Sequence, residues 1–220
     1  MVRRTHLRAA AVLLAGALPF GAVVASDAAA PVQSLWQPQE IKYSYMGFTT
    51  AYNCDAFETK LETILKRLGA HPETQVRATG CEFNVPSRNF FVTVTTATAV
   101  PATEAAAKAI KTGTHTESQQ KLLDKLGVKK PFSTDAFPAQ WTTVDLAKDR
   151  KMDLQPGDCE LMEGLRDQLL PKLSIKIVME SVHCTPKQLS IQTPPLTVSA
   201  LVPLPSADKS SVDKPMKPTA

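Results

Sequence analysis

The chain has 220 residues, of which 43% are hydrophobic and 21% charged, with a formal net charge of +4 and four cysteines. Between a leader-like start and a polar tail lie about 175 residues, enough for one domain with a real core or two small halves. The small positive charge does not make a nucleic-acid footprint, because no cluster of Lys and Arg interleaved with aromatics accompanies it.

Residues 1–25 have the three parts of a secretory signal: Arg3, Arg4 and Arg8, an apolar stretch from Ala9 to Val24, and small residues such as Val23 and Ala25. The apolar run is shorter than the roughly 20 residues that span a bilayer, and Pro19 and Gly21 interrupt it. Cleavage is expected after Ala25, with slippage towards Ala30. With no cysteine at that site, lipoprotein acylation is excluded. Loss of three arginines takes the formal charge from +4 to +1, so the basic excess leaves with the leader.

A first unit is read over 26–100. Ile41, Tyr43 and Tyr45 alternate with Lys42, Ser44 and Met46, which suits a strand. Asn53 or Asp55 offers an N-cap, and Phe57, Leu61, Ile64, Leu65 and Leu68 form one helical stripe opposite Glu58, Lys60, Glu62, Lys66 and Arg67. Gly69 fits the position after the helix and Pro72 forbids its resumption. "TQVRATGC" and "RNFFVTVTTATAV" read as strands, the second with Phe90, Val92 and Val94 on one face. A connector follows over 101–138, with helical composition from Ala105 to Ile110 and a better helix in "TESQQKLLDKLG".

The second unit, 139–202, repeats the order. "QWTTVDLA" is a strand, Asp158 is an N-cap, and Leu161, Leu165, Leu169 and Leu173 line a helix that Pro171 ends or kinks. "IKIVMESVHC" and "SIQTPPLTVSALV" supply two further strands, with Pro194 and Pro195 implying a bulge or an edge. The helices align at an offset of 104 and the closing cysteines at 103, so the chain reads as a duplicated βαββ unit. Residues 203–220, rich in Pro, Ser and Lys, read as a disordered tail.

Four cysteines allow three pairings. A helix of about 15 residues climbs some 22 Å, and a strand of about seven residues returns the same distance. Cys54 and Cys81, and likewise Cys159 and Cys184, are thereby expected to meet, closing each unit with its own disulfide. The fold class expected is α+β, with helices packed on antiparallel sheet.

Chemistry is sparse. There is no Gly-x-Ser-x-Gly elbow, no His-Glu-x-x-His and no Gly-rich phosphate loop. His71, His115 and His183 are the only histidines after the leader, and Asp55, Glu58 and Glu62 are interspersed with lysines, as on a solvated helix face. No cofactor is expected. The alternative is an unrecognised periplasmic enzyme or copper-handling protein using His183, Met162 and Met179 as soft ligands. A ligand surface is expected where the first strands of the two units would pair, from Tyr43, Tyr45 and Trp141, with Trp36, Phe48 and Tyr52 nearby.

"YNCDAFETKLETILKRLGA…VRATGC" and "AQWTTVDL…GDCELMEGLRDQLLPKL" resemble a set of uncharacterised exported proteins of Gram-negative bacteria. The resemblance covers most of the chain after the leader. It implies a periplasmic or secreted location and carries over no functional residue. The function expected is therefore that of a non-catalytic envelope protein that binds a partner protein or a small ligand, without nucleic acid and without a membrane span once the leader is cleaved. An exposed aromatic patch would favour binding, and convergent His, Asp or Glu in a pocket would favour an enzyme.

Overall fold

The computed structural model describes residues 30–82, 85–113, 125 and 132–205. The segment read as a leader, His115, all but one residue of the segment read as a second connector helix, and most of the segment read as a disordered tail lie outside the described residues. Six strands form one antiparallel sheet: β1 (Val32–Met46), β2 (Gln75–Thr79), β3 (Asn89–Pro101), β4 (Phe137–Asp145), β5 (Lys176–Glu180) and β6 (Leu196–Pro203). Their order is β2-β3-β1-β4-β6-β5, so the first strands of the two halves are neighbours at the centre. That junction is short, pairing only Val32, Gln33 and Ser34 with Ala139, Pro138 and Phe137.

Helix α1 (Cys54–Arg67) forms because its apolar residues fall on one stripe. Phe57, Leu61, Ile64 and Leu65 are buried, and Lys66 and Arg67 favour the dipole at its end. Gly69 then takes φ +85°, and a Cβ there would stand 2.9 Å from the Leu201 carbonyl oxygen of β6. The helix end and the second half of the sheet therefore approach more closely than any side chain would permit. Helix α2 (Glu104–Gly113) includes the predicted Ala105–Ile110 segment.

The second long helix is not continuous. Helix α3 (Cys159–Gly164) passes into a π-helical turn at Leu165–Leu169 and a 3-10 turn at Leu170–Lys172. Its leucines are spaced strictly by four, and in an α-helix each such step drifts about 40° around the axis. A wider π turn takes up that drift, and Leu161, Leu165, Leu169 and Leu173 are all buried. Pro171 supplies no N–H to extend the helix.

Alternation sorts the sheet into two faces. Ile41, Tyr43, Tyr45, Phe90, Val92, Val94, Val198 and Ala200 pack with the helices in the main core. On the opposite face Ala99, Ala139 and Leu201 pack with Trp36, Phe137 and Trp141. Trp36 stacks on Phe137 at 4.4 Å, and His71 meets Trp36 and Phe132 edge-on at 4.8 and 4.9 Å.

Cys54 is bonded to Cys81 and Cys159 to Cys184, with Cα separations of 6.3 and 5.7 Å. Both second cysteines lie beyond the strands rather than in them: β2 ends at Thr79 and β5 at Glu180. The stretch read as two strands over 175–202 is thus interrupted from 181 to 195. β4 begins two residues inside the stretch read as connector. β6 runs to Pro203, and Leu204 N–H donates to Pro138 O at 3.0 Å, so 203–204, read as the start of the tail, is attached to the sheet.

Candidate binding surface

The helix-free face of β1, β3 and β2 is built from the residues out of phase with the core. Across the strands, Ser44, Phe91 and Thr79 form one row, Lys42, Thr93 and Arg77 the next, and Met46 stands opposite Asn89. At this end of the sheet Phe91 is 67% exposed, Met46 58% and Phe48 54%. A shallow cavity of about 270 Å³ lies among Ser44, Met46, Gly80, Asn89 and Phe91. Gly80, at φ +92°, also borders a second depression of about 380 Å³ that reaches Glu82, Val85 and the first disulfide.

The loop carrying Phe48 is held from three directions. Gly47 N–H donates to Arg88 O at 2.7 Å, and Tyr52 and Ser87 exchange backbone bonds at 3.0 and 2.8 Å. Gly47 has no room for a side chain, since a Cβ would fall 2.3 Å from Thr50 O. From the second half, Glu160 accepts Thr49 N–H at 2.7 Å and Thr50 N–H at 3.3 Å, while Thr50 Oγ1 donates to Gly157 O at 2.6 Å. Asp158 accepts from Tyr52 OH, from Lys60 Nζ at 2.8 Å and from Gln155 N–H at 2.7 Å. Beneath the surface, Tyr45, Tyr52, Phe57 and Phe90 stack with ring centroids 4.8 to 5.4 Å apart. Burial pushes the Tyr45 and Tyr52 hydroxyls well above the usual tyrosine range; Glu160 and then Asp158 add to the first, and the bond to Asp158 adds to the second. Both therefore remain donors, and the loop rests on fixed aromatic packing.

The residues expected to make one ligand surface are divided between the two faces. Tyr43 and Tyr45 are buried under the helices. Trp141 lies on the other face, with Lys176 Nζ 5.4 Å from its ring centroid. The period-2 alternation of the strands puts them there. The soft-ligand set is also separated: Met162 is sealed in the core, whereas His183 and Met179 are exposed. No group of three or more His, Cys, Asp or Glu side chains able to hold a metal occurs among the described residues.

Two features escaped the sequence reading. Met46 alternates with Tyr43 and Tyr45 alongside Lys42 and Ser44, and Phe91 falls out of phase with Phe90, Val92 and Val94. An apolar residue out of phase was the available signal in both. Glu58 and Glu62 were read as solvated, yet they accept Ala78 N–H at 2.7 Å and Val76 N–H at 3.1 Å on the outer edge of β2.

Comparison with protein-family models, curated proteins and solved structures returned no match for this chain. No helix among the described residues is long and apolar enough to cross a membrane.

Proposed function

We propose that this is an exported, non-catalytic binding protein of the bacterial envelope that docks a partner protein on the Met46–Phe48–Phe91 end of its sheet. The exposure of those three large apolar side chains on a rigidly supported surface carries the reading. Arg77 lies in the adjoining row beside Lys42, which is paired with Glu40 at 3.0 Å on the exposed surface, so a partner segment combining apolar side chains with an acidic one complements the surface. Two disulfides suit an oxidising compartment, in keeping with a leader cleaved near Ala25 and a periplasmic or secreted site, as the resemblance to exported Gram-negative proteins also implies.

The chain is also proposed to descend from a duplicated βαββ unit. The strand order supports this, reading β2-β3-β1 from one edge and β5-β6-β4 from the other. In each half a cysteine at the helix start is bonded to one beyond the second strand.

The test is a photo-crosslinking amino acid placed at Phe91 in cells, with Thr143, an exposed position on β4, as control. A discrete heterologous adduct from position 91 and none from 143 is expected. An adduct of twice the chain mass would replace the partner by a second copy, and equal labelling at both positions would remove the docking surface.

A further inference from the structure

The two central strands are staggered, and the stagger leaves part of β4 without a neighbour. Pairing with β1 ends at Val32 opposite Ala139, yet β4 runs on to Asp145. On its other side β4 pairs with β6 throughout, from Ala139 opposite Pro203 to Asp145 opposite Thr197. Leu146 N–H donates to Leu196 O at 2.9 Å, and Pro138 O accepts Leu204 N–H at 3.0 Å. Backbone groups alternate sides along an antiparallel strand, so even-numbered residues of β4 face β6 and odd-numbered ones face β1. Ala139 directs its groups to Val32. Trp141, Thr143 and Asp145 direct theirs into a lane where they have no backbone partner among the described residues. Thr142 and Thr143 are exposed although β4 stands inside the strand order. The edge of β2 is covered by Glu58 and Glu62, whereas this inner edge is open.

In line with the lane lies the chain's own approach to β1. Carried backwards, the Val32–Ala139 register sets Ala30 opposite Trp141, Ala28 opposite Thr143 and Ser26 opposite Asp145. Cleavage after Ala25 leaves a segment, 26–31, that ends where β4 ends. Pro31 falls opposite Gln140, where an N–H would point away from β4, so its missing donor removes no bond. The same cleavage creates an α-ammonium at Ser26. Opposite it stands the Asp145 carboxylate, whose Oδ2 is paired at 2.9 Å with an exposed lysine, Lys148.

We propose that residues 26–31, once the leader is removed, add to the open edge of β4 as an extension of β1. Export then completes the sheet: the new terminus locks the two halves along the whole of β4. This rests on the leader cleavage proposed above and not on the docking surface.

The experiment is hydrogen exchange followed by NMR on the exported, oxidised chain, with its start fixed by intact mass. The Trp141 and Thr143 amides are expected to be as protected as those of Thr142 and Val144, which face β6 in any case. Ala28→Pro removes the N–H that Thr143 O would accept, and should speed exchange at Thr143 about tenfold or more. Ala29→Pro, at a position whose N–H points away from β4, should leave Thr143 protected. Continued protection of Thr142 and Val144 shows that each variant is folded. Rapid exchange at Trp141 and Thr143 in the parent chain overturns the proposal, as does a chain that starts beyond Ala28. Protection that survives Ala28→Pro overturns it too, and gives the lane to a partner strand or, where protection varies with protein concentration, to a second copy. A mass that retains residues 1–25 sinks the export reading alone, because the same exchange pattern in a chain made to begin at Ser26 still decides the strand.

Discussion

Asp158 is 3% exposed and takes bonds from Tyr52 and Lys60 of the first half and from Gln155 of the second. Replacing it by Asn leaves the Lys60 ammonium, whose side chain is only 19% exposed, without its counter-charge. Asp158→Asn is expected to cost about 3 kcal/mol, the scale for breaking a buried pair, as measured by urea unfolding at pH 7. Phe91→Ser should behave oppositely, changing stability by less than about 0.5 kcal/mol while removing the photo-crosslinked adduct, because the ring is largely in water already. His71 titrates in a distinct window. Burial lowers its pKa, against an opposing influence from Glu73, and its neutral Nδ1 accepts Glu73 N–H at 3.1 Å. The unfolded chain therefore takes up the proton first, and stability falls as pH drops below about 6.5. Denaturation midpoints at pH 7.5 and 5.5 should separate in the parent protein and come closer together in His71→Phe. Asp149 and Asp167, held below the usual carboxylate range chiefly by Arg67 and Arg166, contribute above the unfolded value of about 3.9 and lose that contribution only in stronger acid.

At the scale of elements, Glu58 and Glu62 turn a helix face into a cover for a sheet edge. Edge strands expose unpaired N–H groups that invite further pairing, and here two of them are already bonded to carboxylates. Glu58→Ala/Glu62→Ala is expected to accelerate amide exchange at Val76 and Ala78 while leaving β3 protected. The disulfides close loops that do not overlap, so Cys54→Ser/Cys81→Ser and Cys159→Ser/Cys184→Ser should each cost about 3 kcal/mol and add when combined. Guanidinium unfolding of the three variants measures this. Helix α1, its stop at Gly69, strands β2 and β3, most of β4 and the second half of β1 were legible from their periods and breakers, whereas the first part of β1, from Val32 to Pro38, shows no clear alternation and was not. The π turn was not, since leucines every four residues look like an ordinary stripe until the drift around the axis is summed. Nor was the gap from 181 to 195, where Val182 is buried and the neighbouring residues still resemble a strand. The exposed end was half legible: Met46 could be placed on the wet face from alternation, but only the register of β1, β3 and β2 puts it near Phe91. The pairing of Tyr43 with Trp141 failed because aromatic content says nothing of which face a ring occupies.

On the scale of the molecule, backbone pairing joins the halves over only three residues of β1 and β4. They are also united by one shared apolar core and by side chains crossing the seam, among them Asp158 with Tyr52 and Lys60, Glu160 with the 49–50 loop, and Arg67 with Asp149 at 2.7 Å. Neither disulfide crosses it. Val32 nevertheless pairs with Ala139, which pairs with Pro203 on its other side. The first and last strands therefore present Val32 and Pro203 about 10 Å apart, two interstrand spacings. From Ser34, β1 runs straight to Met46, about 40 Å away at 3.3 Å per residue. Whatever tethers the chain through either terminus holds the molecule by one end like a handle, and Met46, Phe48 and Phe91 become the far tip of the lever, turned away from the anchorage and towards whatever approaches.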